Sequence, residues 1–393
     1  MNLRQKHQTL CYTIEGLNSF GTVLYFTYLY FLLHDRFGFT DKANLTVAAL
    51  LGFCYALASW QAGRLAQRWG YFAALKVGLG VMAGGLLAAA QLHSAPGLIF
   101  AATVVTFGMC FTWPVLEALI SEAETPARVP HAIGLYNITW AATNAAALFI
   151  GGTLIEKLGY QSIFYIPIAI IAGQITLTLW LEKLPKLVAV KNDLGAQIDK
   201  NCSSPAVAKK FQQLAWLANP FAYIAINTLI AVLPGIARKF ELTPMFAGFA
   251  CSLWGFVRLA TFVVLWRWPG WHYRFGWLAL AFFALIFSFA GILIIPHLAV
   301  LLAAQIVFGA AIGLIYYSSL FYSMDASEAK SEHGGIHEAA IGAGNCLGPA
   351  LGALSLQFAA QNTNAGAWAV TGLLVVGLGG LLWLRQSGAA TTK

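Results

Sequence analysis

The chain of 393 residues is 59% hydrophobic and 10% charged, with a net charge of +8 and a mean hydropathy of +0.70. A soluble domain carries about a quarter charged residues; here charges cluster between apolar runs of about 20 residues, the length of a helix crossing a ~30 Å hydrocarbon core with its backbone satisfied. A water-soluble globule is excluded, and basic residues confined to short connections, with no basic stripe, argue against a nucleic-acid partner.

The polar segment Met1–Gln8 leads into a first apolar run, 10–33. No small-residue cleavage site follows it, so it reads as a span rather than a signal peptide. Glu15, Asn18, Thr22 and Tyr25 share one face of that helix. Beyond Asp35-Arg36 and Asp41-Lys42 comes span two, 43–66, then 72–93 and, around Pro96, 97–121, which aligns Thr106, Cys110, Trp113 and Glu117. Pro126 and Pro130 precede spans five and six, 132–155 and 161–182; the fifth aligns Asn137, Trp140 and Asn144. A long polar connection follows. The second set comprises 212–237, 244–266, 275–295, 298–323, 335–360 and 364–385. In it, Asn219, Tyr223 and Asn227 recur at i, i+4 and i+8, Trp254 stands one turn before Arg258, and Tyr316, Tyr317, Ser318 and Ser319 are consecutive. The expected architecture is all-α and integral to the membrane, with twelve transmembrane helices in two pseudo-symmetric six-helix halves. Residues 1–182 form the first half, 183–210 a cytoplasmic central loop, and 211–393 the second half.

Counting Lys and Arg by side places 17 with the N-terminus and 5 opposite, with Arg258 inside a span. Cytoplasmic loops carry that excess, so the expected location is a cell inner (plasma) membrane, with both termini cytoplasmic. Five cysteines fall in spans and Cys202 in the central loop, which does not make a disulfide framework. No metal-ligand spacing, GxxxxGK[ST] loop or hydrolytic constellation occurs, so neither a cofactor nor an enzymatic activity is expected.

A shift of 201 residues superposes Asn18 on Asn219, Phe20 on Phe221, Phe107-Gly108 on Phe308-Gly309, Gly134 on Gly335, Asn144 on Asn345, and Gly151 on Gly352. A parallel six-plus-six repeat is the arrangement in which two halves rock about a central site. With this layout the sequence resembles the major facilitator superfamily, and two local motifs add to the resemblance. Gly63-Arg64-Leu65-Ala66-Gln67-Arg68-Trp69-Gly70 is similar to the family's loop 2–3 motif, although Gln67 replaces its acidic residue and Tyr71 a basic one. Gly344-Asn345-Cys346-Leu347-Gly348-Pro349 is similar to its glycine-proline motif, here in span eleven rather than five. The resemblance implies a central cavity lined by spans one, four, seven and ten, and gating positions at Gly63, Arg64, Arg68 and Gly70.

Ionisable residues inside spans are costly and default to functional candidates. Glu15, Glu117, His337 and Glu338 are candidates for coupling or gating; the bland alternative for the glutamates is a rim position paired with Arg64, Arg68 or Arg128. Arg258 lies too deep to reach water along its own helix, so it needs a protein partner such as Glu117, a solvated cavity or an anionic ligand. The candidate substrate-binding set is Asn18, Thr22, Tyr25, Trp113, Asn137, Trp140, Asn219, Tyr223, Asn227, Trp254, Arg258, Tyr316 and Tyr317. The expected function is secondary active transport of a small organic solute by alternating access, as a symporter or antiporter, with protons a candidate coupling ion. The working unit is expected to be a monomer in the lipid bilayer. The alternative is a non-transporting membrane receptor or assembly factor on the same scaffold.

Overall fold

A computed structural model describes residues 3–122, 128–185, 205–326 and 330–387. Cys202, most of the 183–210 connection and the His337 side chain lie outside the described residues. Fifteen α-helices follow one another: α1 Leu3–Phe37, α2 Asp41–Trp69, α3 Tyr71–Gln91, α4 Ala95–Met109, α5 Trp113–Glu122, α6 Val129–Leu158, α7 Ser162–Lys183, α8 Pro205–Ala231, α9 Leu233–Lys239, α10 Pro244–Cys251, α11 Leu253–Arg267, α12 Phe275–Ile294, α13 Leu298–Ala326, α14 Lys330–Phe358 and α15 Ala365–Ser387. Three pairs, α4–α5, α8–α9 and α10–α11, are single crossings interrupted near the middle or one end, so the described residues make twelve crossings.

Each interruption has a local cause. Pro114 has no N–H to offer the carbonyl four residues back, so the chain tightens, with Phe111 N–H donating to Gly108 at 3.1 Å and Thr112 N–H to Met109 at 3.0 Å. Pro234 does the same between α8 and α9. No proline lies between α10 and α11; the break falls at Ser252, and Gln305 of α13 donates to the Ala250 carbonyl at 2.7 Å. A backbone group freed in lipid must find such a partner. Eleven of the crossings are long and apolar enough to span a membrane by composition alone. The exception is α1, whose buried face carries Glu15, Asn18, Ser19, Thr22 and Thr27. A helix enclosed by others can afford such a face.

The packing repeats. In the first six crossings α1 packs on α6 and α7, and α3 on α4 and α7; in the last six α8 packs on α14 and α15, and α12 on α13 and α15. A shift of six crossings carries one pattern onto the other. Two seams join the sets, α2 with α14 and α6 with α10 and α11, and these too exchange under the shift. Backbones approach closely there: a Cβ on Gly52 would strike the Asn345 backbone, and one on Gly152 the Pro244 carbonyl. At the end of the bundle that carries residues 38–40, polar contacts fasten the seams. Glu156 accepts from the Met245 N–H at 2.8 Å, Lys42 donates to Gln357 at 2.8 Å, and Tyr28 donates to the Leu148 carbonyl at 2.5 Å within the first set. At the opposite end Lys76 pairs with Glu182 at 2.8 Å, and Gly70 turns the chain from α2 into α3 at φ 86°, a conformation open to glycine.

Candidate functional site: a central cavity between the two helix sets

A cavity of about 200 Å³ lies where both seams meet. Positions related by the 201-residue shift face it in pairs: Thr22 and Tyr223, Phe26 and Asn227, Trp140 and Ile341, Asn144 and Asn345. The same faces of crossings one and seven, and of five and eleven, therefore form its wall. The remaining polar lining is Thr27, Tyr30, Tyr55, Thr106, Trp113, Glu117, Tyr136, Trp254, Arg258, Tyr316 and Glu338. The mixture of aromatic faces with a few convergent polar groups suits an organic ligand.

Arg258 is 4% exposed and reaches the cavity from α11. Its guanidinium carbon lies 4.5 Å from the Trp140 ring centroid and 5.0 Å from that of Trp254. Two indole faces attract a desolvated cation by about 2 kcal/mol each, but they satisfy no N–H. Both Nε and Nη2 are buried without a hydrogen-bond partner. The pairing with Glu117 that the sequence allowed is not formed: among the described residues, the ion pair found is Lys76 with Glu182.

Three buried or half-buried carboxyl groups lie nearby. Glu338 accepts from the Tyr55 hydroxyl at 2.5 Å. Glu15, 0% exposed, accepts from the Ser19 hydroxyl at 2.7 Å and the Trp113 indole N–H at 3.0 Å, and its other oxygen has no partner. Glu117 faces the cavity directly. None pairs with Arg64, Arg68 or Arg128, so the rim arrangement is not what the structure contains; Arg64 instead lies over the Trp60 ring at 5.8 Å.

An aromatic partition borders the cavity on the side away from the 38–40 end. Trp140 packs on Tyr316 and Phe262 at ring distances of 5.1 and 5.5 Å, and Ile133, Leu320 and Tyr316 form a small apolar cluster behind them. Asn137 accepts from the Trp140 indole N–H at 2.9 Å and so fixes that ring. Beyond the partition is a vestibule of about 280 Å³ lined by His131, Asn137, Trp266, His272, Tyr317 and Phe321, among others.

The structure thus gathers Thr22, Trp113, Trp140, Tyr223, Asn227, Trp254, Arg258, Tyr316, Glu117 and Glu338 around one space. It places Asn137 and Tyr317 on the vestibule side of the partition. Asn18 and Tyr25 line a narrow void beside α7 instead, where Asn18 donates to the Thr112 hydroxyl at 3.2 Å. Asn219 is buried with neither amide atom partnered and does not line the cavity. Gly63, Arg64, Arg68 and Gly70 lie at or near the end of α2, away from it. Tyr55, Tyr136 and Asn345 belong to the wall but were not among the sequence candidates. A signal existed for Tyr136, one helical turn before Trp140, and for Asn345, the repeat partner of Asn144; Tyr55 offered none beyond Ser59 four residues on.

The sequence model described as Major Facilitator Superfamily matches residues 10–349. No curated protein matches the chain significantly in sequence. Among solved structures, the chain is similar to a bacterial homolog of the human lysosomal transporter Spinster, inward-facing and unoccupied, at TM-score 0.66 and 15% identity, covering 100% of this chain and 94% of that one. It is similar to the human organic anion transporter TETRAN at TM-score 0.69 and 13% identity (97% and 100% covered), and to the nucleoside transporter NupG at 0.67 and 17% (100% of both). At such identities the likeness is one of fold.

Proposed function

Because the chain belongs to the major facilitator superfamily, we propose that it is a secondary active transporter that moves a small organic solute through the central cavity by alternating access. The observation that carries this reading is the position of the cavity at the junction of both seams. It is fastened on one side by contacts across the seams and separated from a vestibule on the other by three aromatic rings. Two six-helix halves, residues 1–182 and 211–393 joined by the 183–210 segment, would rock about it, exchanging which side is sealed. The repeated packing supports that division.

With the N-terminus in the cytoplasm, as the basic residues argue, the fastened end is external and the vestibule cytoplasmic. The arrangement then corresponds to a state closed outside and screened inside by Trp140, Phe262 and Tyr316. Glu117 and Glu338 face the cavity without a cationic partner, and such carboxyls in a desolvated site can carry protons, which makes proton coupling the favoured drive. The cavity is lined by residues from both helix sets of one chain, which fits a monomer. The test is uptake into proteoliposomes containing the purified chain, driven by an imposed proton gradient. A solute found by ligand-induced stabilisation should accumulate and exchange by counterflow. Binding without flux of any such solute would leave the receptor reading.

A further inference from the structure

The unpartnered atoms of Arg258 are not a random pair. Nε–H and Nη2–H lie side by side along one edge of the planar guanidinium, and together they form the fork that grips two oxygens of one anion. Indole rings of Trp140 and Trp254 lie against the group. The edge that remains free belongs to a residue 4% exposed that lines the cavity. A desolvated cation with both fork donors unsatisfied is costly to keep unless something fills the fork for part of the cycle. Among the described residues nothing does: Glu117 and Glu338, the acidic groups facing the same space, form no ion pair with it.

We propose that the solute is an organic anion, and that its carboxylate or phosphoryl group docks in bidentate fashion on the Nε–Nη2 edge of Arg258. The two headgroups share the required chemistry, paired oxygens in one plane bearing negative charge. A neutral amide of the same shape offers a single acceptor and a clashing N–H₂ at the second donor. The proposal rests on reading the cavity as the solute site. Trp140 comes from the first helix set and Trp254 and Arg258 from the second, so anion binding would also act where the two sets meet.

The test uses the purified full-length protein in lipid nanodiscs and matched probes: benzoate with benzamide, indole-3-acetate with indole-3-acetamide, hexanoate with hexanamide, and phenyl phosphate. Affinity is read by thermal shift and calorimetry. At least one anion should bind about tenfold or more tightly than its neutral partner, the difference expected of a charged hydrogen-bond pair. Arg258→Lys should lose most of that advantage although it keeps the charge, and Arg258→Gln all of it. Preference for phenyl phosphate over benzoate would identify a phosphomonoester headgroup, and the reverse a carboxylate; either supports the fork. A panel in which no anion exceeds its amide, or an anion preference that survives Arg258→Gln, overturns it. Should the variants not fold, wild-type protein decides: the preferred anion, and not its amide, should slow phenylglyoxal modification of Arg258 read by peptide mass, and equal rates overturn the proposal. Anion binding without proteoliposome flux would count against transport alone. Solute flux unchanged by Arg258→Gln would count against the fork alone.

Discussion

The guanidinium of Arg258 in α11 rests 4.5 Å from the ring of Trp140 in α6, so the charge in the cavity and the aromatic partition are one assembly. The ring that covers the cation also touches Phe262 and Tyr316 and takes its orientation from Asn137. Trp140→Ala should cost about 3–5 kcal/mol of stability, because a large buried ring is removed, and should weaken solute binding as well. Trp140→Phe keeps a ring face and should recover most of the stability. Unfolding midpoints and affinities of both variants, measured on the same preparations, check this; equal losses in the two would disconnect the ring face from the cation.

Glu15 stands in the sequence as a coupling candidate beside Glu117 and Glu338, but the structure puts it behind Trp113, holding the indole N–H, while Glu117 and Glu338 face the cavity. A carboxyl that loads from the cavity must touch it. Glu117→Gln or Glu338→Gln should therefore abolish accumulation driven by a pH gradient and leave counterflow exchange intact. Glu15→Gln, whose amide oxygen can still accept from Trp113, should retain the drive. Gradient-driven uptake in the three variants separates the roles, and loss in Glu15→Gln alone would return the coupling role to that residue.

Gly152 lets α6 touch the Pro244 carbonyl at the fastened end. A valine there needs space that the closed seam lacks, an overpacking cost of about 1–3 kcal/mol, and should shift the population toward a state open at that end. Spin labels at Lys42 and Gln357, now hydrogen-bonded to each other, would report a longer distance in Gly152→Val. An unchanged distance distribution would mean that loosening the α6–α10 seam does not open the α2–α14 seam at the same end.

Asn219 and Asn18 coincide under the repeat, and both stand among the residues expected to bind the solute. Neither faces the cavity. Asn219 has both amide atoms buried and unpartnered, at 1% exposure. Asn219→Ala should leave affinity unchanged and shift stability by less than about 1 kcal/mol in either direction, since no intramolecular bond is lost. Asn18→Ala, which releases Thr112, should destabilise by about 1 kcal/mol. Affinity loss in Asn219→Ala would show that the amide turns into the cavity in another state of the cycle.

The orientation rests on basic residues divided 17 to 5. In a variant whose sole cysteine is Cys202, an impermeant maleimide should label permeabilised but not intact cells. Labelling of intact cells would invert the topology.

Much of the architecture was legible because a bilayer imposes a one-dimensional rule: a crossing needs about 20 apolar residues, and its ends show as charges, prolines and glycines. The twelve crossings follow from that rule. The 201-residue repeat is legible as residues matched at equivalent crossings, and helical spacing marks the polar faces that reappear around the cavity as Thr22, Trp113, Trp140, Tyr223 and Asn227. Crossings four and seven read as continuous in the sequence but break beside Pro114 and Pro234; crossing eight breaks at Ser252 with no proline to mark it, and the nearby Ala250 carbonyl is answered by Gln305, 55 residues away.

The tertiary structure alone decided which faces meet. Helical periodicity orients a side chain relative to its own axis and says nothing about that helix's rotation against its neighbours. Close glycine contacts, such as Gly52 on Asn345 and Gly152 on Pro244, set those rotations. They bring Tyr55 to Glu338 across 283 residues and Trp140 to Arg258, and they turn Asn18 and Asn219 away from the cavity. Composition and spacing determined that polar groups would lie inside a membrane bundle; packing determined which carboxyls face the open space and which edge of Arg258 was left without a partner.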